Sequence, residues 1–516
     1  MRLTGKHLVA GEWIASKGAP FRARDPRTGA TLEPEYHDAS PELIDRAVTA
    51  AREAFRRPEW RDTRRRSVFL RRLGETLLDL GDAWLERASA ETGLPLNRLA
   101  GERARTVNQV NLFANLLDEG SYRDVRIDPA DPERRPLPKP DLRRLLVPVG
   151  PVAVFGANNF PLAFSVAGGD TVSALAAGCP VVFKAHPGHP GTSEAAARAI
   201  LQALEDCGLP PAVFSLVHGA SNEVGHRLVT HPAVEAGAFT GSLTGGMALY
   251  AAAVNRPRPI PFFAEMGSVN PVVLSPLALE RRAEQIAEGL FGSFTLGVGQ
   301  FCTKPGLVFA VESAALQRFR ARLIELVGAH PTETMLQEAI ADRYAAGVEA
   351  LRAAGAHLLA QGRPPAPEAC TQASCFLFAT SSEHFRSHPE LQREVFGPCT
   401  LLVTCSSLED LAETLSGLEG QLTGTVHAEP EERDLLAPIV SVLEEKVGRL
   451  IFNGYPTGVE VSPAMQHGGP FPATTDARFT SVGTAAILRF LRPLCYQNFP
   501  ADWLPEVLRQ AHTTRR

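Results

Sequence analysis

From Pro151 to Ser242 the chain alternates short apolar runs with stretches of helical character, and this alternation constrains the fold more than any other feature. PVAVFG, PVVFK, VFSLVHG and AGAFTGS read as strands, and the segments near 163–177, 193–207 and 222–230 read as the helices between them. A repeat of strand, helix and parallel strand requires a sheet covered on both faces, so an α/β fold class with a parallel sheet is expected. In open sheets of this kind ligands sit beyond the carboxyl ends of the strands. Residues just after PVAVF, PVVF and AGAFT are therefore the first candidates for a site.

Upstream, the pattern from Pro41 to about Leu117 is helical, with apolar residues at three and four spacing in PELIDRAVTAAREAF and VFLRRLGETLLDLG. DPADPERRPLPKP, residues 128–140, is too rich in proline and charge for a helix or a central strand. It runs into LRRLLVPVGPVAVFG and reads as an extended arm entering a strand. Downstream, NPVVL, LVFAVE, a helical section from Ala314 to Ala353, TLLVT and GRLIFNG supply a second α/β unit. The tail from Ser481 begins with a helical run and ends in aromatic and proline residues suited to an arm packed on a neighbour.

A length of 516 residues calls for two or three domains. The net charge of -5 supplies no broad cationic face, which argues against nucleic acid and anionic lipid as partners. MRLTGKHLVAGEWIASKG has no apolar run of signal-peptide length, and the most apolar region, 152–183, is interrupted by Asn158, Asn159, Pro161 and Asp170. A soluble cytoplasmic protein is expected. The eight cysteines form no CxxC, and none stands with histidines at metal-ligand spacing, so reduced thiols and no metal are expected. Cys179 and Cys399 precede apolar runs, where a thiol acts as a small hydrophobe.

Cys302 is different: VGQFCTKPG surrounds it with Gly299, Gly306 and polar residues. The glycines permit close backbone approach. An ordinary thiol, with a pKa of about 8.5, is only a few per cent ionised at neutral pH, so a reacting Cys302 needs local activation. Glu265 lies in the almost uncharged IPFFAEMGSVNPVVL, where burial would raise its pKa toward that of a usable general base. A carboxylate bound to backbone N–H groups or to an arginine is the structural alternative. Asn159, in GANNFPL, carries an amide that could donate to an oxyanion, although asparagines in turns also serve the backbone. Lys184 ends PVVF at the ligand edge, where its ammonium can reach phosphate or ribose oxygens, or snorkel from the strand end. In FTGSLTGG, residues 239–246, backbone N–H groups at a helix start could face a pyrophosphate. No GxGxxG fingerprint is present there or in FGANNF. The stretch AHPGHPGTS after Lys184 lacks the carboxylate that usually accepts from a ribose 2'-hydroxyl, which leaves room for a 2'-phosphate.

Together, NNFPL, VVFKAHP, FTGS, FAEMGSVNP, GQFCTKPG and EVFGP, in that order, resemble the aldehyde dehydrogenase superfamily over essentially the whole chain. More narrowly, FFAEMGSVNP, GQFCTKPG and the tail GGPFPATTDARFTSVGTAAILRFLRPLCYQN are similar to the branch of 2-oxoglutarate semialdehyde (2,5-dioxopentanoate) dehydrogenases and related NADP-dependent enzymes. The resemblance implies Cys302 as nucleophile, Glu265 as base and Asn159 as oxyanion donor. It places Lys184, His186, Gly241, Ser242 and Gly246 at the nucleotide, with Glu394 and Phe396 beside the nicotinamide ribose. Where NAD-preferring relatives carry a glutamate three residues after the lysine, this chain has Pro187, which leans toward NADP, with NAD as the alternative.

The domains expected from the resemblance are a cofactor-binding domain with a Rossmann-type parallel sheet at 1–125 and 147–260, an oligomerisation arm at 126–146 and an α/β catalytic domain at 261–460. A C-terminal return and oligomerisation segment takes 461–516. The expected reaction oxidises a small-molecule aldehyde, 2,5-dioxopentanoate, to the acid in a homodimer or homotetramer. The rivals are an NADP-dependent dehydrogenase of longer aliphatic aldehydes, a nucleotide-independent cysteine esterase needing a histidine partner, and a non-catalytic relative.

Overall fold

A computed structural model describes residues 2–366 and 370–509; residue 1 and the stretch 510–516 of the expected C-terminal segment lie outside the described residues. The alternation around 151–242 forms a seven-stranded sheet. Its strands run in the order Phe262–Glu265, Ala236–Thr240, Val152–Phe155, Val181–Lys184, Phe214–Val217, His7–Val9, Glu12–Ile14. The first five are parallel, and an antiparallel N-terminal hairpin closes the edge. The strand Phe262–Glu265 carries this sheet past residue 260, the expected domain boundary. Phe69, Phe113, Phe183 and Phe214 are fully or almost fully buried between the sheet and its helices.

Local chemistry sets the helix ends. The helix Gly169–Ala177 stops at Gly178, which adopts φ +99°, a left-handed conformation that only glycine takes at little cost. That helix begins at Gly169 and not near Ala163, as periodicity suggested. The reason is Glu102, whose buried carboxylate accepts from the N–H groups of Leu162 and Ala163 at 2.8 and 2.9 Å and holds them in a turn. A second buried carboxylate, Glu91, accepts from Gly191 and Thr192 at 2.8 Å each and caps the next helix, which starts at Pro190, ahead of the expected Ser193. Helix Asn222–Thr230 falls where periodicity put it.

The second unit is another seven-stranded sheet, in the order His357–Gln361, Phe376–Ser381, Cys399–Cys405, Leu307–Val311, Val272–Leu274, Gln421–His427, Val447–Phe452. All pairs are parallel except the outermost, between His357–Gln361 and Phe376–Ser381. The expected helical section 314–353 is two helices, Ala314–Ala329 and Glu338–Ala353. His330 precedes Pro331 and takes ψ 131°, because a residue before proline is pushed out of the helical region. The arm is a three-stranded sheet of Arg126–Asp128, Leu142–Pro148 and Leu491–Gln497. The helical run before its last strand is a 3-10 turn, Thr484–Phe490.

Candidate active site

The parallel register aligns the carboxyl ends of the first sheet. Phe155 pairs with Lys184, and Thr240 pairs with Glu265, so the loop carrying Asn159, the Gly241 turn and Glu265 all emerge on one edge. The second unit brings Cys302 to that edge from the loop between helix Pro276–Thr295 and strand Leu307–Val311.

This loop is held from several sides. Gly299, at φ +62°, lies so close to Gly397 that a Cβ would stand 2.3 Å from its carbonyl carbon. Val298 takes φ +59°, a strained conformation for a β-branched residue and one that clusters at functional sites. Asn270 donates its side-chain amide to the carbonyls of Cys302 and Lys304 at 2.8 and 3.0 Å. The buried Lys304 ammonium donates to the carbonyls of Val395 and Cys399 at 3.0 and 2.8 Å. None of these bonds uses the Cys302 sulfur.

The sulfur lies 3.4 Å from Nε2 of His467, and the same Nε2 lies 3.0 Å from Oε1 of Glu265. The other Glu265 oxygen accepts from the Ser481 hydroxyl. His467 is 1% exposed and Glu265 3%. Its backbone N–H donates to Thr480 Oγ1 at 2.9 Å, and its carbonyl accepts from the N–H of Ser481 at 2.9 Å. Burial pushes the Cys302 thiol well above its ordinary range, and the Glu265 carboxylate adds to the rise, so the resting sulfur is protonated. For Glu265 the structure corrects the expected direction. Burial does push its carboxyl up, but the His467 imidazole and hydrogen bonds from Ser481 and Cys302 outweigh it and hold the group below its ordinary value.

Sequence reasoning missed His467. It lies 165 residues beyond Cys302, and the tail motif quoted above starts at Gly468, the very next residue. Only the fold makes it a neighbour of the thiol.

Asn159 donates one amide N–H to the carbonyl of Gln300 at 2.9 Å, beside the Cys302 loop, which leaves its second N–H for another acceptor. Its carbonyl accepts from Nη2 of Arg98 at 2.7 Å. The proline after Phe160 starts no helix; the chain turns there, tied to Glu102.

The residues expected at a nucleotide divide into two groups. Lys184 stands at the strand end and has no ion-pair partner among the described residues; burial lowers its ammonium pKa to about 8. Gly241, Ser242, Leu243 and Thr244 open to solvent at the start of helix Leu243–Val254, where Ser242 Oγ caps the N–H of Gly245 at 3.2 Å. The Thr240 hydroxyl beside them is buried without a partner. Glu394 is pushed up to about 7 by burial, against the pull of Lys304 and a backbone hydrogen bond from Ser268. It packs so close to Gly267 that a Cβ there would sit 2.5 Å from Oε2. Phe396 is half-buried against the core.

His186 and Gly246 turn inward. His186 accepts the N–H of Gly188 at Nδ1, 3.1 Å away, and stacks on His189 at 5.4 Å between ring centroids. Burial, with His189, Lys184 and Arg343 adding repulsion, pushes its pKa well below the usual value, so this imidazole is neutral. His189 is buried and contacts the Ala157 carbonyl at 2.8 Å. A Cβ on Gly246 would stand 2.7 Å from Met266; that glycine lets the helix close on the sheet.

Comparison with known proteins decides the family. The sequence profile of the aldehyde dehydrogenase family matches residues 13–470. The chain belongs to the aldehyde dehydrogenase family. It is 49% identical over 514 residues to "Alpha-ketoglutaric semialdehyde dehydrogenase 2" of Azospirillum brasilense, covering 99% of this chain and 98% of that one. It is 46% identical over 519 residues to "Alpha-ketoglutaric semialdehyde dehydrogenase" of Acinetobacter baylyi, covering 99% and 97%. Its fold superimposes on a mutant of aldehyde dehydrogenase C from Pseudomonas syringae complexed with NAD+ and octanal. The TM-score is 0.81 at 22% identity, covering 96% of this chain and 97% of that one.

Two further features of this aldehyde dehydrogenase bear on the earlier expectations. No metal-ligand spacing is visible in the sequence, yet a sulfur, an imidazole nitrogen and a carboxylate oxygen from Cys302, His467 and Glu265 lie within 4.8 Å of one another. Such a donor set suits a divalent ion such as zinc, and it is the same set that surrounds the thiol. Among the described residues, no helix is long and apolar enough to cross a membrane.

Proposed function

We propose that this enzyme oxidises α-ketoglutaric semialdehyde, 2,5-dioxopentanoate, to 2-oxoglutarate, with Cys302 as the nucleophile. The observation that carries the chemistry is the chain of contacts from Cys302 Sγ through His467 Nε2 to Glu265, at 3.4 and 3.0 Å. The substrate reading is supported by the names of the two relatives that match nearly end to end.

As the sulfur adds to the aldehyde carbon, its proton passes to the imidazole or carboxylate beside it. The free N–H of Asn159 and the N–H of Cys302 stabilise the resulting oxyanion, each such donor being worth about 3 to 4 kcal/mol. A bound nicotinamide dinucleotide supplies the hydride acceptor. Glu265, ionised at neutral pH, then takes a proton from the water that hydrolyses the thioester, and His467 relays it. A carboxylate held below its usual range is a weak base on its own, which gives the adjacent imidazole a task.

The residues at the strand edge fit a dinucleotide: an ammonium without a carboxylate partner among the described residues, an open helix start and the unpartnered Thr240 hydroxyl. We favour NADP over NAD because 185–193 holds no carboxylate. The neutral His186 adds no positive charge; Lys184 and the exposed Arg343 both lie close enough to act on that ring electrostatically and can supply one. Lys184 gives a pH test. With its pKa lowered to about 8, its charge is complete below that pH and lost above it. KM for the nucleotide is expected to rise as pH passes 8, and Lys184→Met should raise KM at pH 7 and flatten the profile. A profile unchanged by that substitution would remove Lys184 from the site.

The arm and the C-terminal segment also support self-association into a homodimer or homotetramer: Leu137 in the first is 70% exposed and Trp503 in the second 74%. For the substrate, kcat/KM measured on 2,5-dioxopentanoate and hexanal with both nucleotides should favour the oxo acid with NADP. A far higher value for hexanal would transfer the assignment to an aliphatic aldehyde dehydrogenase. The Cys302–His467 contact favours one second reading, nucleotide-independent ester hydrolysis, because it supplies the histidine that a cysteine hydrolase needs. Ester turnover indifferent to nucleotide, with no aldehyde oxidation, would establish it.

A further inference from the structure

One cation near the thiol has no task in the chemistry above. Arg105 projects from helix Leu96–Glu119, two turns beyond Arg98. Its Nε and Nη2 are both buried without a hydrogen-bond partner, and it forms no ion pair among the described residues. Its guanidinium carbon lies 5.9 Å from the ring centre of Phe160 and 5.7 Å from that of Phe164, on the segment that follows Asn159. Its charge acts on Cys302 and on Glu265, and the thiol responds to it in turn. The acid that acts on it most is Glu102, three residues back on the same helix, which spends Oε1 on two backbone N–H groups and leaves Oε2 buried without a partner; neither it nor the exposed Glu460 forms an ion pair with Arg105 among the described residues.

The neighbouring arginines are committed. Arg98 donates to the carbonyl of Asn159 at 2.7 Å and lies over Phe160 and Phe301 at 5.2 and 4.9 Å. Arg449, whose charge also acts on Cys302, donates to the Pro456 carbonyl at 2.7 Å. Nε and Nη2 of Arg105 are adjacent on one side of the guanidinium, and that side offers two parallel N–H bonds, the match for a carboxylate. A buried, desolvated donor pair left open is costly unless something fills it.

We infer that this free edge of Arg105 binds the carboxylate of the substrate, holding a short ω-oxo acid by its far end while the aldehyde carbon meets Cys302. The inference rests on the proposed function and deepens it, naming the group that makes the enzyme choose an acidic aldehyde over a neutral one. Phe160 and Phe164 flank the guanidinium and keep it desolvated, which strengthens an ion pair formed there.

The test compares kcat/KM for 2,5-dioxopentanoate and for pentanal, a neutral aldehyde with the same number of carbons, in wild type, Arg105→Met and Arg105→Lys. The expected result in Arg105→Met is a fall of roughly a hundredfold in the ratio of the two values, carried by KM for the oxo acid, with partial recovery in Arg105→Lys. An unchanged ratio, or equal losses on both aldehydes, would overturn it, since a role in ionising the thiol or in holding the helix would affect both substrates alike. A wild-type enzyme with no preference between the two aldehydes would instead overturn the proposed substrate.

Discussion

Cys302→Ala is expected to abolish aldehyde oxidation, with nucleotide reduction falling below detection, while the affinity for nucleotide stays near wild type. The Cys302 sulfur is the group assigned to form and release the thioester, and the methyl group of alanine carries no thiol to replace it. The loop survives the change because Asn270 holds it by the carbonyls of Cys302 and Lys304, and Lys304 holds it by the carbonyls of Val395 and Cys399. Nucleotide contacts proposed for Lys184 and the Ser242 turn lie on the first sheet, apart from that loop. The check is a steady-state assay beside a nucleotide titration followed by fluorescence. Residual oxidation at a few per cent of wild type would mean that another residue attacks the carbonyl.

Glu265→Gln should separate the two halves of the reaction. Glutamine preserves the shape and can still accept from Ser481, but it takes no proton from water. A burst of reduced nucleotide close to one equivalent per chain is expected, followed by a steady rate lowered by about 10²–10⁴, the usual worth of a general base. The pH dependence carries a sign. Because the Glu265 carboxyl is held below its ordinary value, it remains ionised in mildly acidic solution, and hydrolysis of the thioester should persist there. The thiol works in the opposite direction, being held well above its range, so in the absence of substrate its alkylation by iodoacetamide should keep accelerating as pH rises past neutrality. Stopped-flow absorbance reads the burst directly, and normal turnover by Glu265→Gln would remove this residue from the role of base.

Much of this architecture is legible in the sequence because parallel strands buried on both faces must be continuous apolar runs. PVAVF, PVVF, VFSLV and AGAFT each become a strand of the first sheet. What failed was whatever depended on a distant partner. Nothing local shows that Glu102 and Glu91 will cap the turns at Leu162 and Gly191, so two helices start away from where periodicity puts them. The apolar surroundings of Glu265 predict a raised carboxyl, and the structure lowers it, because His467 and Ser481 come from more than 200 residues away; the Ser481 separation is 216. The contacts of His186 with Gly188 and His189 are local, yet no pattern in AHPGHPGTS announces them. Cys302, by contrast, stood out because its loop is glycine-bounded and polar, which a buried structural thiol does not require.

The most direct test of the account is to mix Glu265→Gln enzyme with 2,5-dioxopentanoate and NADP, quench during the burst and map the covalent adduct by peptide mass spectrometry. One acyl group per chain, carried by the peptide that contains Cys302, is the predicted result. A full burst of NADPH with that peptide unmodified would contradict it.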